Sequence, residues 1–540
     1  MTTMKRTNEI LVHKTMIKNS NPYMALLNIK NNNSMKNLSV KLLTLILALG
    51  IFSCSDLKEE PYSTVTTASF FKTSEDAEIA INGIYHGVHT IGFYRQQGVF
   101  TIIMPGMFTV SRSATVRNRM TYNFDASDAQ INQTWRSHFD IINRCNMAIK
   151  YLPGVDLSDE QKNAYIAEAR WMRAYLYFNL VRLYGDVPKR FTPTEVEEQA
   201  YLARSPMLEI YDEIIIPDLE FAAQNLPIQG IDGRVARGAA PFLLGKVYLT
   251  MAGKPLEDAS KLALAKTNLE EVINNQGEYG YSLMPRYIDV FSISEDRTQF
   301  DGSKELNAEL IFSVQQSQSI PVHGNAMSYS YGALQSKWTS FNAGGQYLIG
   351  FMEELYNAYD VADERKDVNL AIEYEHRLNG RILRFGVNPP YHLKERGMVQ
   401  NKYIDPDQNQ CCNGDPDFII YRLADAYLML AEVENELNGP SAVVYDNLDV
   451  ILARANAPLI DRAAAWTTET LRDEIWMERV KELNFEFHDI FDLRRLGKVK
   501  DVFEFNINAQ EGTYDPSYEL YPIPTQEIDR NENSSQNPGW

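Results

Sequence analysis

Apolar residues recur in this chain at three- and four-residue intervals, in paired segments separated by short turns. That period belongs to helices with one buried face, and short turns make such helices antiparallel neighbours. Ile131, Trp135, Ile142, Cys145, Ile149 and Leu152 trace the first face. Ser127 and Gln130 form an S-x-x-Q capping box before it, and Pro153-Gly154 stops it. Ser158 and Gln161 cap the next segment, which runs through Ala169, Met172, Leu176, Leu180 and Leu183 to Gly185. The pairing recurs at 236–252 with 256–276 and at 419–437 with 441–455. Small residues (Ala239, Gly245 and Ala252; Ala424 and Ala431) let the partners approach closely. Trp135, Trp171 and Trp476 lie on periodic faces and are assigned to the core. The expected fold is therefore mostly α, with a helical scaffold over roughly 60–276 and 419–500.

Residues 277–418 read differently. They are rich in Gly, Pro, Asn, Ser and aromatics, with little sustained helical period, although Leu310–Gln315 looks like a short strand. A loop-rich segment on a rigid frame is where binding residues concentrate. Aromatic faces with polar neighbours suit sugars, because the ring packs on C–H faces and the polar groups fix orientation. Tyr329, Tyr331, Trp338, Phe341 and Asn342 have this composition within one Gly-rich stretch. Tyr94 and Arg95 form a second candidate after the first helix. For any one of these aromatics, plain core packing is the competing reading.

The N-terminus points to export. Leu42–Phe52 is an apolar run of eleven residues, too short to span a bilayer, which takes about 20. Lys36 and Lys41 precede it, and Ser53-Cys54 follow. This is the layout of a signal peptide, and Ile51-Phe52-Ser53-Cys54 resembles a bacterial lipobox, with Cys54 as the lipidated residue. Residues 1–34 read as an upstream mis-start or disordered leader, 35–53 as the signal, and 54–540 as a single mature domain. Seven bases and one acid lie before residue 54, so the remainder carries 70 acids against 45 bases. That balance argues against nucleic-acid partners and against docking on anionic lipid by charge.

Catalytic and metal motifs are weak. Gly238–Lys246 echoes a phosphate loop, but its spacing is wrong and Val247 replaces the magnesium-binding hydroxyl. His86-x-x-His89 lacks the glutamate of a zinc-protease helix. Asp405, Asp407 and Asn409 begin like a calcium loop, but Gln410 and Pro416 stand at its glycine and bidentate-glutamate positions. A solvated acidic loop is the plainer expectation. Four cysteines show no metal spacing and no disulfide framework. The chain reads as a non-enzyme with no cofactor.

The helix pairs resemble degenerate tetratricopeptide repeats, whose cores lie between stacked neighbours. Four longer segments together resemble the SusD/RagB family of nutrient-binding outer-membrane lipoproteins of Bacteroidetes. They are Phe70–Tyr85 (FFKTSEDAEIAINGIY), Glu168–Pro188 (EARWMRAYLYFNLVRLYGDVP), Glu478–Arg495 (ERVKELNFEFHDIFDLRR) and the C-terminal motif within 514–540, with YPIP at Tyr521–Pro524 and QNPGW at the end. Phe487 and Asp489 depart from the family, which usually has Gly and Arg there. The resemblance implies a tetratricopeptide-like α-α superhelix carrying an irregular ligand-binding part. It also implies a lipid-anchored protein on the outer face of the outer membrane. Such a protein captures oligosaccharide for a SusC-like TonB-dependent barrel. A peptide- or glycopeptide-binding RagB-like protein is the first alternative, and a tetratricopeptide adaptor that binds only proteins is the second.

Overall fold

Helices laid down one against the next make most of the molecule, here a computed structural model. The structure describes residues 70–90, 93–94, 105–111, 113–230, 233–296, 299–320, 323–333, 336–337, 346–384, 397–411 and 413–540, all within the unit Thr67–Trp540. The scaffold helices are α1 (Ser74–Val88), α2 (Ala129–Tyr151), α3 (Asp159–Tyr184), α4 (Ile216–Asn225), α5 (Ala239–Ala252), α6 (Lys261–Asn274), α7 (Leu423–Asn438), α8 (Ala442–Arg454), α9 (Thr468–Glu482) and α10 (Asp489–Arg495). From α1 to α7 each packs on its successor, and α7 also packs on α9. Stability is thus built from neighbour-to-neighbour interfaces, as in a solenoid. No described helix is long and apolar enough to cross a membrane.

Local chemistry sets the helix ends. The α3 capping box forms as expected, with Gln161 N–H donating to the Ser158 hydroxyl. Gly185 ends that helix at φ +75, a region glycine enters without a Cβ penalty. The α2 cap is different from the expected one. Asp128 accepts from Gln130 N and Ile131 N, while the Ser127 hydroxyl donates to Asp125 instead. A carboxylate one residue nearer the helix outcompetes the serine for the free N–H groups. Trp135, Trp171 and Trp476 are buried as assigned. Gly245 lies against Leu269, so α5 and α6 approach closely there. The phosphate-loop echo is simply the start of α5, most of which is buried.

The loop-rich part is inserted between α6 and α7, which nonetheless touch each other directly. Its stem is an antiparallel ladder of β4 (Leu310–Val314) and β10 (Phe418–Arg422), with irregular register after Ile419. β10 runs straight into α7. Beyond the stem, short antiparallel pairs do the folding. β1 (Thr109–Val110) pairs with β5 (Gly350–Phe351), β6 (Leu370–Ala371) with β9 (Val399–Gln400), and β7 (Glu373–Glu375) with β8 (Ile382–Arg384). A separate pair, β2 (Val187–Pro188) and β3 (Arg204–Ser205), follows α3.

Buried ions lock this part to the helices. Arg422, at the end of β10, bonds Glu309 (2.8 Å), Glu482 (2.5 Å) and Glu486 (2.8 Å). Glu482 also receives Arg454 and Arg365, and Lys402 reaches Glu486 at 2.7 Å. These side chains are almost wholly excluded from solvent, so each charge depends on its partners.

Candidate functional site

The aromatic stretch singled out in the sequence begins on a one-turn helix, Met327–Tyr331. The segment Gln346–Leu348 is clasped to it by backbone bonds. Gln346 N donates to Tyr329 O (2.6 Å), Tyr347 N to Gly332 O (3.0 Å) and Leu348 N to Ser330 O (2.9 Å). The Tyr347 hydroxyl reaches Gly397 O, and Phe351 and Met398 exchange backbone bonds at 2.7 Å. The two ends of this loop are therefore fixed by the core.

Only Tyr329 among the predicted contacts is described and half-buried; Gln346 Nε2 donates to its hydroxyl at 3.4 Å. Tyr331 and Tyr94 do not fit the prediction. Tyr331 is wholly buried, edge-on to Phe485 at 5.5 Å. Tyr94 is 3% exposed, bonded to the Tyr175 hydroxyl and stacked on Phe418 at 5.1 Å. Both rings serve the core because they sit where the loop part meets α3 and the 485–487 turn, and neither offers a face to a ligand. Trp338, Phe341, Asn342, Arg95 and Cys54 lie outside the described residues. Further along the chain, Lys337 pairs with Glu375 (2.5 Å) and Ser336 bridges to His376.

The acidic loop is solvated as expected at Asp407 and Asn409 but not at Asp405. Asp405 is buried and accepts from Asp407 N (3.2 Å) and Asp415 N (2.9 Å). Asp417 accepts from Gln316 N (2.7 Å), and Asp415 from both Gln318 N and Nε2 (2.6 Å each). These carboxylates hold the loop to the strand leaving β4. Burial pushes Asp405 up to about 6 and Asp417 up to about 7. Burial and the charge of Asp417 push Glu305 up to about 8. Among the described residues, no group of three or more His, Cys, Asp or Glu is arranged to hold a metal ion. The histidine pair gains a third ring, with His323 at 4.9 Å from His86 and 5.3 Å from His89. Burial and these neighbours push His89 down to about 4.

The sequence reading missed a second aromatic position. An open groove of about 450 Å³ runs between the α8–α9 connection and residues 357–363. Trp466 lines it, half-buried, with its indole N–H fixed on Asp461 O at 2.8 Å. Asp360, Glu474 and Lys481 supply polar groups around it, and burial raises the Glu474 carboxyl. One apolar ring face amid charged and amide groups matches what a sugar ring needs. The only hint in the sequence is a tryptophan in a non-periodic stretch just before the Thr467 cap.

Known proteins align with this architecture. Residues 365–540 match a family model described as SusD family, and residues 57–249 match one described as starch-binding associating with outer membrane. SusD-like protein P2 of Formosa agariphila is 27% identical over 525 residues, covering 93% of this chain and 99% of its own. A solved SusD superfamily protein from Parabacteroides distasonis superposes with a TM-score of 0.71 at 25% identity, covering 88% of this chain and all of the other. A laminarin-binding SusD-like protein superposes with a TM-score of 0.71 at 24% identity, over 87% of this chain and 100% of its own.

Proposed function

The chain belongs to the SusD/RagB family, and on that premise we propose that it is a cell-surface lipoprotein that captures oligosaccharide and delivers it to a SusC-like TonB-dependent transporter. The observation that carries this reading is the pair of family matches at both ends of the mature chain, one of them described as starch-binding at the outer membrane. The laminarin-binding relative of the same fold supports a carbohydrate ligand. The half-buried Tyr329 on its clasp and the Trp466 groove support it chemically. Trp338, Phe341 and Asn342, which lie in sequence between the two sides of this clasp, are the proposed contacts, together with Tyr329. Lipidation at Cys54 supplies the anchor, since a diacylglycerol plus an N-acyl chain exceeds the single chain that binds only reversibly. The role calls for no catalysis and no cofactor.

Calorimetry of residues 55–540 against a panel of oligosaccharides, with peptides alongside, tests the reading. Micromolar to millimolar binding of a glycan, weakened at least about tenfold in Trp338→Ala or Trp466→Ala, is expected. Binding of peptides with no response to any glycan would replace the proposal with the RagB-like alternative. A Cys54→Ala variant should leave the outer-membrane fraction; retention there would remove the lipid anchor.

A further inference from the structure

The Trp466 groove carries charge of one sign beside its aromatic wall. Asp360, Asp363, Asp461, Glu474 and Glu478 line it, against a single cation, Lys481. Two of these acids are already compensated. Asp363 is paired with Arg365 at 2.7 Å, and Glu478 with Arg365 at 2.9 Å and with Lys481 at 2.5 Å. Asp360, Asp461 and Glu474 form no ion pair among the described residues. They reach the groove from separate elements: Asp360 from the segment after the short helix Glu353–Ala358, Asp461 from the α8–α9 connection and Glu474 from α9.

Glu474 is the decisive group. It is half-buried and has no hydrogen bond among the described residues. Burial raises its carboxyl, Lys481 offsets part of that without pairing with it, and Glu478 adds to it. A carboxylate drawn partly out of water gains most from a positive partner. Asp360 and Asp461 are exposed, and the side chain of each accepts one backbone N–H, from Ala362 at 2.8 Å and from Ala463 at 2.9 Å. Both keep further lone pairs for a ligand. Trp466 packs against the apolar cluster of α7, α8 and α9, and its N–H is engaged by Asp461 O. No other aromatic ring or cation stacks on it among the described residues. Leu459 on the same wall is 56% exposed. Apolar surface and uncompensated negative charge therefore meet in one groove. Its volume of about 450 Å³ falls among those of small-ligand sites, ~300–1,000 Å³.

We propose that this groove selects saccharides that carry a free amine, with the ammonium among Glu474, Asp360 and Asp461 and the C–H face of the amino sugar against Trp466. The proposal rests on the glycan reading above and narrows its substrate class. The hydroxyls of a neutral sugar can bond these carboxylates but leave their charge uncompensated, whereas an ammonium brings three charge-assisted donors and the opposite charge. The same field repels uronate and sulfated sugars.

Calorimetry of the purified full chain tests the proposal at mildly acidic pH and fixed ionic strength. The probes are a β-1,4-linked glucosamine trisaccharide, its fully N-acetylated form, cellotriose and trilysine. The free-amine trisaccharide is expected to bind at least about tenfold more tightly than the N-acetylated form or cellotriose. Glu474→Gln should reduce that preference severalfold. Asp360→Asn is the second arm, at an exposed position where the amide oxygen can still accept from Ala362 N, and it should reduce the preference as well. Equal affinity for the amine and N-acetyl forms, or a preference that survives both substitutions in folded protein, overturns the proposal and leaves the glycan reading standing. Trilysine binding as tightly as the amino sugar overturns it too, because the groove would then recognise ammonium without a sugar. Binding of no saccharide at all, charged or neutral, overturns the glycan reading and this proposal together.

Discussion

At Phe487 the backbone adopts φ +61, a left-handed conformation that costs a side-chain-bearing residue about 1–2 kcal/mol. The ring packs on Phe485 at 4.9 Å and on Phe418 at 5.6 Å, which offsets that strain. The family's usual glycine there, and the departure from it, were legible in the sequence; the ring's distant partner Phe418 was not, because it lies on β10. Phe487→Ala loses the ring and keeps the strain, whereas Phe487→Gly loses both. Urea unfolding should therefore find the glycine variant more stable than the alanine one by about 1 kcal/mol, the reverse of their usual order. Two residues on, Asp489 accepts from Met107 N at 2.8 Å and fastens residues 106–107 to α10. Burial pushes its carboxyl up to about 7, above the ordinary value of about 3.9 in the unfolded chain. The folded state then holds the extra proton between those values, so stability falls as pH rises from about 4 through 7. Asp489→Asn should gain about 2 kcal/mol relative to the parent between pH 5 and pH 8. A gap that does not change over that range would mean the carboxyl is ionised throughout.

Single helices owe their positions to pairs such as Arg173 and Asp218. Arg173 projects from α3 to Asp218 on α4 through two bonds of 2.7 and 2.9 Å, and to Asn146 on α2 at 2.6 Å. Three consecutive helices thus share one buried guanidinium. Arg173→Ala leaves buried Asp218 with only the more distant Arg170, at 3.8 Å, and should cost about 3 kcal/mol. Arg173→Met combined with Asp218→Leu should cost much less than the sum of the single changes, as measured by a double-mutant cycle in denaturant. Helices of this kind were readable because period, caps and small residues are local signals. The pairs at 236–276 and 419–455 were located within a few residues, and the β4 strand was seen. The inserted part was not readable beyond that. Its strands mostly span two to five residues and pair with distant segments, as Thr109 does with Phe351. No short-range period records such a pairing. The aromatics suffered the same ambiguity. Tyr94 and Tyr331 share their composition with a binding platform, and only the tertiary partners Tyr175 and Phe485 show that they belong to the core.

Across the whole molecule, the scaffold and the inserted part are joined by charge as well as by apolar contact. Glu309 precedes the stem, Arg422 ends it, and Glu482 with Glu486 comes from α9 and the turn after it. The network's protonation is therefore a property of the frame that joins the two parts. Although burial alone would raise Glu482, Arg454, Arg422 and Arg365 hold its carboxyl well below the usual range. A depressed folded pKa stabilises the protein above the unfolded value of about 4.3, and the gain is lost as pH falls below it. Asp489 acts in the opposite direction, so stability is expected to peak on the acid side of neutral. Glu482→Gln removes the charge that balances three arginines and should cost about 3–5 kcal/mol at pH 6. At pH 3 the parent is itself losing the charge's benefit, so the difference between the two proteins should shrink. Chemical denaturation at both pH values reads this directly. An equal difference at pH 3 and pH 6 would mean that Glu482 contributes packing and hydrogen bonds but no net charge, and that the two parts of the molecule are held together without it.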